Sequence, residues 1–324
     1  MTVSRLDEML KALGLWGALR AGRVGMDAAA VRRLLATVEE EALRRWVAAF
    51  SGPRHGGRDP ARLAAAGERL EGEFKALGLA VRRDAFGYWG RSYFNVVATL
   101  PGDSPRRPAL LLGAHYDAMA GTPGADDNAS GVAVMLAVAR ALAGLRAAAP
   151  VEFVGFTLEE PQIGFDRYRH GSRHFARRAW WGRRRYAGVF VLEMVGYTDR
   201  RPGSQASLPQ LRRPVPSTGD FLAAVGTRRA RPLLQRLEAA RAYVPELSLL
   251  THQVALRGLL LPPSRWSDHA PFWDRGYPAV MLTDTSFLRN PHYHQPTDLP
   301  ETLDYAFMAA VARLVIGAVA EMGT

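Results

Sequence analysis

A single α/β domain, with a central mixed and mostly parallel sheet flanked by helices on both faces, is the fold class this chain predicts. Three observations carry that reading. Short apolar runs at 108–114 (PALLLGA), 151–157, 189–192 and 278–283 read as strands buried on both faces. An almost wholly apolar stretch at 129–144 (ASGVAVMLAVARALAG) reads as a buried helix between two of them. Strands alternating with helices imply a sheet covered on both sides. The 324 residues are 48% hydrophobic, enough for a large core, and no repeat or Gly/Ser-rich linker divides them.

The remaining elements follow in order. Residues 1–50 show helical spacing, as in Leu6, Met9, Leu10 and Leu13, then Val31, Leu34, Leu35 and Val38. They are expected to form an N-terminal helical extension packed on the core domain, 51–324. Residues 51–60 (SGPRHGGRDP) read as a loop, and 61–78 as an amphipathic helix stopped by Gly78. Strands are expected at 81–86 and 93–100. Residues 198–265 are richer in Pro, Arg and Ser and read as an insertion. It is expected to carry short helices at 219–226 and 229–241 and to form one wall of a cleft. The last helix is expected over 301–321.

Composition excludes several chemistries. There is no cysteine, so disulfides and thiolate metal sites are ruled out, and any metal must use His, Asp or Glu. The net charge of +11 comes almost entirely from Arg, since Lys occurs only at positions 11 and 75. Arg183-Arg184-Arg185 after Trp180-Trp181 can attract anions, but no nucleic-acid recognition motif accompanies the charge, and no nucleic-acid partner is expected. The first residues lack the pattern of a secretory signal, and no run reaches the roughly 18–20 apolar residues of a membrane span. A cytoplasmic location is therefore the expectation.

The chemistry lies at the strand ends. His115-Tyr116-Asp117 closes the first buried run, and Gly124-Ala125-Asp126-Asp127-Asn128-Ala129-Ser130-Gly131 opens the buried helix. Glu159-Glu160, Glu193 and His294 follow three further strands. Ligand sites in such sheets gather beyond the carboxyl ends of the strands. His115 is a metal-ligand candidate, and Asp117 a carboxylate that can hold its other ring N–H. Asn128 and Ser130 suit a helix start, but capping does not explain two adjacent acids, and Asp126 is the candidate bridge between two metals. Adjacent acids at a buried strand end require a compensating cation. Glu160 is read as a ligand and Glu159 as general base. Glu193 interrupts the apolar run VFVLEMVGY and needs a metal or an Arg. One of His292 and His294 is a ligand. Asp298 either orients that histidine or caps the last helix. Asp268, His269 and Tyr293 are expected to shape the substrate pocket, with Trp266, Phe272 and Trp273 as candidate apolar wall residues.

With these residues together, the chain resembles the M28 family of zinc aminopeptidases. The likeness runs through HYD, GADDNASG, FTLEEP, LEMVGY, SDHAPF and NPHYHQPTD, over about residues 90–310; the first 50 residues carry no matching motif. The resemblance implies the zinc-exopeptidase (phosphorylase/hydrolase-like) fold. It implies His115, Asp126 and Glu193 on one zinc, and Asp126, Glu160 and His294 on a second. It also implies Glu159 as general base, and a cis peptide bond after the bridging residue, at Asp126–Asp127. Many members have Asp where this chain has Glu193. The implied activity is hydrolysis of N-terminal peptide bonds, on peptide or aminoacyl substrates with a free N-terminus. The alternatives are a single-zinc glutaminyl-cyclase-like transferase on the same fold, and a non-catalytic binding homologue.

Overall fold

The structure is a computed structural model, and it describes residues 27–145, 147–162, 168–211 and 215–320. The helical pattern expected over 1–26 lies outside them. Helices α1 (Ala28–Leu35) and α2 (Glu40–Phe50) open the described chain. Their buried faces, Val31 and Leu35, then Leu43, Val47 and Phe50, belong to the main core cluster. Helix α3 (Pro60–Ala76) starts with Pro at its first position, where the missing N–H costs no hydrogen bond.

Eight strands form one sheet: β1 (Ala80–Tyr88), β2 (Arg91–Leu100), β3 (Ala109–His115), β4 (Val151–Phe156), β5 (Tyr186–Leu192), β6 (Phe221–Thr227), β7 (Ser248–Val254) and β8 (Ala279–Thr283). Their order is β1-β2-β4-β3-β5-β8-β6-β7. The central block β4-β3-β5-β8 is parallel, while β1, β2 and the β8–β6 pair are antiparallel. Every residue of β3, β4 and β8 is buried, as a doubly covered strand requires. One face packs on α1, α2, α3, α4 (Gly131–Leu142), α6 (Arg231–Ala240) and α8 (Tyr305–Ala320). The other carries α5 (His170–Trp181) and the short α7 (Ala270–Asp274), which pack through Phe175, Phe272 and Trp273.

Two expectations are corrected. Residues 219–226 are not a helix: Phe221–Thr227 is strand β6, paired antiparallel with β8 and parallel with β7. The alanines of FLAAVGT favour a helix locally, but two neighbouring strands supply ladder partners for its backbone. Residues 198–265 therefore extend the sheet by two strands, besides walling a cleft. Phe272 and Trp273 are core rather than pocket wall; the Trp273 indole donates to the Ala279 carbonyl at 2.8 Å.

Candidate active site

The parallel strands β3, β4, β5 and β8 end side by side, and the acids and histidines of the sequence motifs leave from those ends. His115 is the last residue of β3 and Glu193 follows β5 directly. Glu159 and Glu160 follow β4 after two residues, and His294 comes from the loop beyond β8. Non-glycine residues Leu158, Met194 and His294 have φ of 53°, 50° and 56°. Such left-handed conformations cost about 1–3 kcal/mol each and persist only where surroundings hold them. Here the holding groups are carboxylates and amides behind the site.

Asp117 accepts hydrogen bonds from the Glu159 N–H (3.0 Å) and the Glu160 N–H (3.1 Å), and lies 3.5 Å from His115 Nδ1. It thus fixes the β4 loop and the His115 ring together. Asp298 accepts from the N–H groups of Asp126 (2.8 Å) and Asp127 (3.1 Å), so it anchors the GADDNASG loop. It neither orients His294 nor caps the last helix. Asn128 accepts from Met194 N and Gly131 N and donates to the Leu192 carbonyl, joining the loop to the end of β5. Gly124 enters this loop at φ 62°, and a Cβ there would lie 2.4 Å from the Asp127 carbonyl oxygen.

The residue between the two histidines is Asp127, not Asp126. Asp127 Oδ1 is 3.2 Å from His115 Nε2, and Asp127 Oδ2 is 3.2 Å from His294 Nε2. Glu193 Oε1 is 3.4 Å from His115 Nε2, and Glu160 Oε2 is 3.4 Å from His294 Nε2. The result is two triads that share Asp127, His115–Asp127–Glu193 and Asp127–Glu160–His294, with donor atoms of each triad within 4.8 Å of one another. Asp126 points away: it accepts from Gly196 N (2.9 Å) and Asn290 Nδ2 (2.7 Å) and contacts Asp284. The reason is backbone direction. Asp298 grips two successive N–H groups, so consecutive side chains leave on different sides of the loop. The cis peptide bond also falls one residue later than expected, at Asp127–Asn128.

Electrostatics follow this arrangement. Burial works against the Asp127 carboxylate, yet hydrogen bonds from His115 and His294 hold it well below the usual range. Burial opposes the charged His294 ring, but Asp127 and Glu160 push it up to about 10. Burial and the neighbouring Asp127 push Glu160 up to about 7. Desolvation, with Glu193, Asp268 and Glu160 around it, raises Glu159 well above an ordinary carboxyl. Ser267, which the sequence did not single out, donates to Glu193 Oε2 at 2.6 Å. Arg54 was also missed, because it sits in a Gly/Pro loop. Its guanidinium is buried and donates to the carbonyls of Tyr116 (2.9 Å), Gly52 (2.9 Å), Pro123 (2.5 Å) and Gly124 (2.7 Å).

Asp127, Glu159, Glu160, Glu193, His294 and Tyr293 face a cavity of about 410 Å³, whose remaining lining is mostly apolar. Tyr293 stacks on His294 with centroids 3.8 Å apart, and Trp266 lines the same cavity. Asp268 and His269 do not. Both are fully buried; His269 Nε2 pairs with the Ser264 carbonyl at 2.8 Å and its ring meets Trp273 edge-on. Their place between Ser267 and the start of α7 turns them into the protein, which corrects their expected role in the pocket.

The donor set suits a hard-to-borderline divalent metal. It offers two imidazoles and three carboxylates, and buried Glu160 Oε1 has no hydrogen-bond partner.

The model of peptidase family M28 matches residues 95–319. YfbL of Escherichia coli (strain K12) is 35% identical over 259 residues, covering 77% of each chain. A probable zinc metalloprotease of Pyricularia oryzae is 29% identical over 251 residues, 69% of this chain and 48% of that protein. A probable leucine aminopeptidase of Trichophyton verrucosum is 26% identical over 243 residues, 71% of this chain and 56% of that protein. The chain thus spans about half the length of these fungal relatives. Among solved structures, the LapA aminopeptidase of Legionella pneumophila superposes with a TM-score of 0.72 at 18% identity, covering 92% of this chain and 76% of that one. A Macrostomum lignano glutaminyl cyclase superposes with a TM-score of 0.70 at 19% identity, covering 92% and 93%. Both show the fold.

Proposed function

The chain belongs to peptidase family M28, and on that premise we propose that it is a zinc-dependent aminopeptidase that hydrolyses the first peptide bond of its substrate. The observation that carries the reading is the pair of triads sharing Asp127, with Glu159 on the cavity wall beside them. His115, Asp127 and Glu193 would hold one zinc, and Asp127, Glu160 and His294 a second. Zinc bound there polarises the scissile carbonyl and makes water a stronger acid.

The chain's own groups then supply the rest. Glu159 takes a proton from the attacking water, whose oxygen adds to the carbonyl carbon. As the C–N bond breaks, Glu159 returns the proton to the leaving amine. Burial raises this carboxylate well above its ordinary range, which makes it a stronger proton acceptor. Asp117 positions Glu159 and Glu160 through their N–H groups and faces the Nδ1 side of His115. Ser267 holds the far oxygen of Glu193, which leaves Oε1 towards His115. The surrounding acids attract a substrate's free α-ammonium group.

The test is hydrolysis of aminoacyl-4-nitroanilides by protein titrated with zinc from zero to two equivalents, beside cyclisation of an N-terminal glutaminyl peptide. Aminoacyl hydrolysis rising with zinc and lost with chelator is expected. Cyclisation without aminoacyl hydrolysis, at one zinc per chain, would replace this reading with the cyclase one.

A further inference from the structure

The cavity reaches well past the space one ordinary side chain needs. It starts at Glu193, beyond β5, and ends at Leu250 and His252 on the edge strand β7. The register draws a line across the sheet. The Glu193 N–H donates to the Leu282 carbonyl on β8, Thr283 pairs with Ala223 on β6, and Ala223 pairs with Leu250 on β7. Three inter-strand steps of about 4.8 Å make this floor about 14 Å long. A staggered hydrocarbon advances about 1.3 Å per methylene, given bonds of about 1.5 Å. A leucine side chain therefore covers only the first part of the path.

The reason lies in the sheet. Leu222 and Ala224 turn to the main core, whereas Phe221, Ala223 and Val225 turn to the other face. Helix α5 packs over β1 and β2, and α7 packs on β8. Leu208, Leu211 and Val215 line the same cavity as the β6 and β7 residues. Trp266, Phe287, Tyr293 and His294 form a chain of ring contacts at centroid distances of 5.4, 6.0 and 3.8 Å along another wall, down to the metal-ligand candidate.

Gln205, Thr251 and Thr283 on the way are already engaged. Gln205 donates to Ala206 O and Thr285 Oγ1 and accepts from Arg289 Nε. Thr251 Oγ1 donates to Glu238, and Thr283 Oγ1 accepts from Thr285 N. A peptide backbone laid along this floor would leave its own N–H and C=O groups without partners, at a cost an apolar chain does not incur.

Building on the proposed hydrolysis, we propose that the cavity takes an extended, unbranched apolar chain of about eight to ten carbons on the carbonyl side of the scissile amide, with Ala223 setting the permitted length. At about 30 Å³ for each water-sized group, the cavity of about 410 Å³ holds on the order of a dozen such groups. The chain has two chemical sources: the side chain of an N-terminal residue, or the acyl chain of an N-acylated amine.

Two series test this. The first is zinc-loaded enzyme with 4-nitroanilides of alanine, norleucine, 2-aminooctanoic and 2-aminodecanoic acids, and with the N-octanoyl and N-decanoyl anilides that lack the amine. Each added methylene is expected to raise kcat/KM about fourfold up to about eight carbons, as burial of a CH₂ group predicts. A free-amine preference assigns the chain to an N-terminal residue, and equal or faster turnover of the acyl anilides assigns it to an acyl group. Ala223→Phe should lower the 2-aminodecanoyl to alanyl ratio at least tenfold. That ratio is read within one protein, so partial unfolding does not imitate the effect, and Val225→Phe gives an independent block on the same floor. The second series is calorimetric binding of straight-chain alkyl hydroxamic acids of two to ten carbons. Affinity that climbs with length in protein that hydrolyses no anilide would sink the proposed hydrolysis and keep the cavity assignment. Turnover peaking at leucine size, with hydroxamate affinity flat beyond four carbons, would overturn the cavity assignment and keep the hydrolysis.

Discussion

Replacing Asp127 and Asp126 in turn by Asn is expected to give opposite results, although the two are neighbours in sequence. Asp127 is the residue common to both triads and lies 3.2 Å from both histidines. Asp127→Asn keeps the shape and removes the shared negative charge. Loss of a partner outside the ligand set typically costs 10–100-fold in metal affinity, so loss of the shared carboxylate should cost more than about 100-fold, in both triads at once. Asp126 is different. Burial and the adjacent Asp284 hold it well above the usual carboxylate range, and it stands outside both triads. In Asp126→Asn one of two acceptor oxygens becomes an amide N–H, while each oxygen now accepts from a buried donor, Gly196 N or Asn290 Nδ2. What is lost is one of these two bonds, now 2.9 and 2.7 Å long. An unpaired buried donor costs about 1–3 kcal/mol, a few degrees in Tm. Calorimetric zinc titration, metal analysis after dialysis and thermal melting read both variants. Asp126→Asn should bind zinc within about tenfold of the parent and melt slightly earlier. If Asp126→Asn loses zinc while Asp127→Asn keeps it, the placement of these two side chains is wrong.

Glu159→Gln should lower kcat by about 10²–10⁴ while zinc titration stays unchanged; near-normal kcat with zinc bound would remove Glu159 from the proton-transfer role. Asp117→Ala leaves the Glu159 and Glu160 N–H groups without their acceptor and should weaken zinc binding about 10–100-fold. Unchanged zinc binding would show that the β4 loop is held by other groups. Desolvation lowers His269 to about 3, so the folded protein keeps the ring neutral where the unfolded chain, with a value near 6.5, takes a proton. The stability tied to this group is complete above about pH 6.5 and declines by about 1.4 kcal/mol per pH unit down to about pH 3. Urea denaturation between pH 7 and 4 should show a shallower acid decline in His269→Gln, and an identical slope would refute the assignment.

Much of the site was legible because its residues end apolar runs. His115 ends β3, Glu159-Glu160 follow β4 after two residues and Glu193 follows β5 directly, and these strand boundaries were readable to within a few residues. The choice between Asp126 and Asp127 was not legible. A loop has no side-chain period, and here the direction depends on the left-handed Gly124 and on which N–H groups Asp298 grips. Asp268 and His269 looked like pocket residues because they are polar and near a motif. Local sequence does not say that the turn before α7 faces inwards. Strand β6 was misread because one of its faces meets a cavity and the other the core, so hydrophobic alternation is absent from FLAAVGT. Strand β7, edge-placed and only partly buried, gave no signal above its polar surroundings.

The carboxylates around the site divide by what satisfies them. Asp117 and Asp298 accept backbone N–H groups of the ligand loops, and Asp284 accepts from Tyr197 N and Ser286 N. Asp126, raised well above the usual range by burial and Asp284, accepts from Gly196 N and Asn290 Nδ2. Arg54 adds a buried cation that acts on Asp117, Asp127, Asp298 and Glu160, and burial lowers it only to about 10, so it stays charged at neutral pH. Asp127, Glu159, Glu160, Glu193 and Asp268 remain; the first four line the cavity, and Asp268 is buried beside them, where burial pushes it up to about 7. Two histidines stand among them, and a neutral imidazole is the form that binds metal. If both rings keep their protons, the cluster balances part of its own charge and the acids are salt-bridge partners. If a divalent cation enters, it displaces those protons and balances the same carboxylates with more charge in less space. Zinc binding should therefore release protons, and calorimetric titrations in buffers of different ionisation enthalpy would count them. Zinc binding with no proton release at neutral pH would show that the histidines were not the groups holding the carboxylates together.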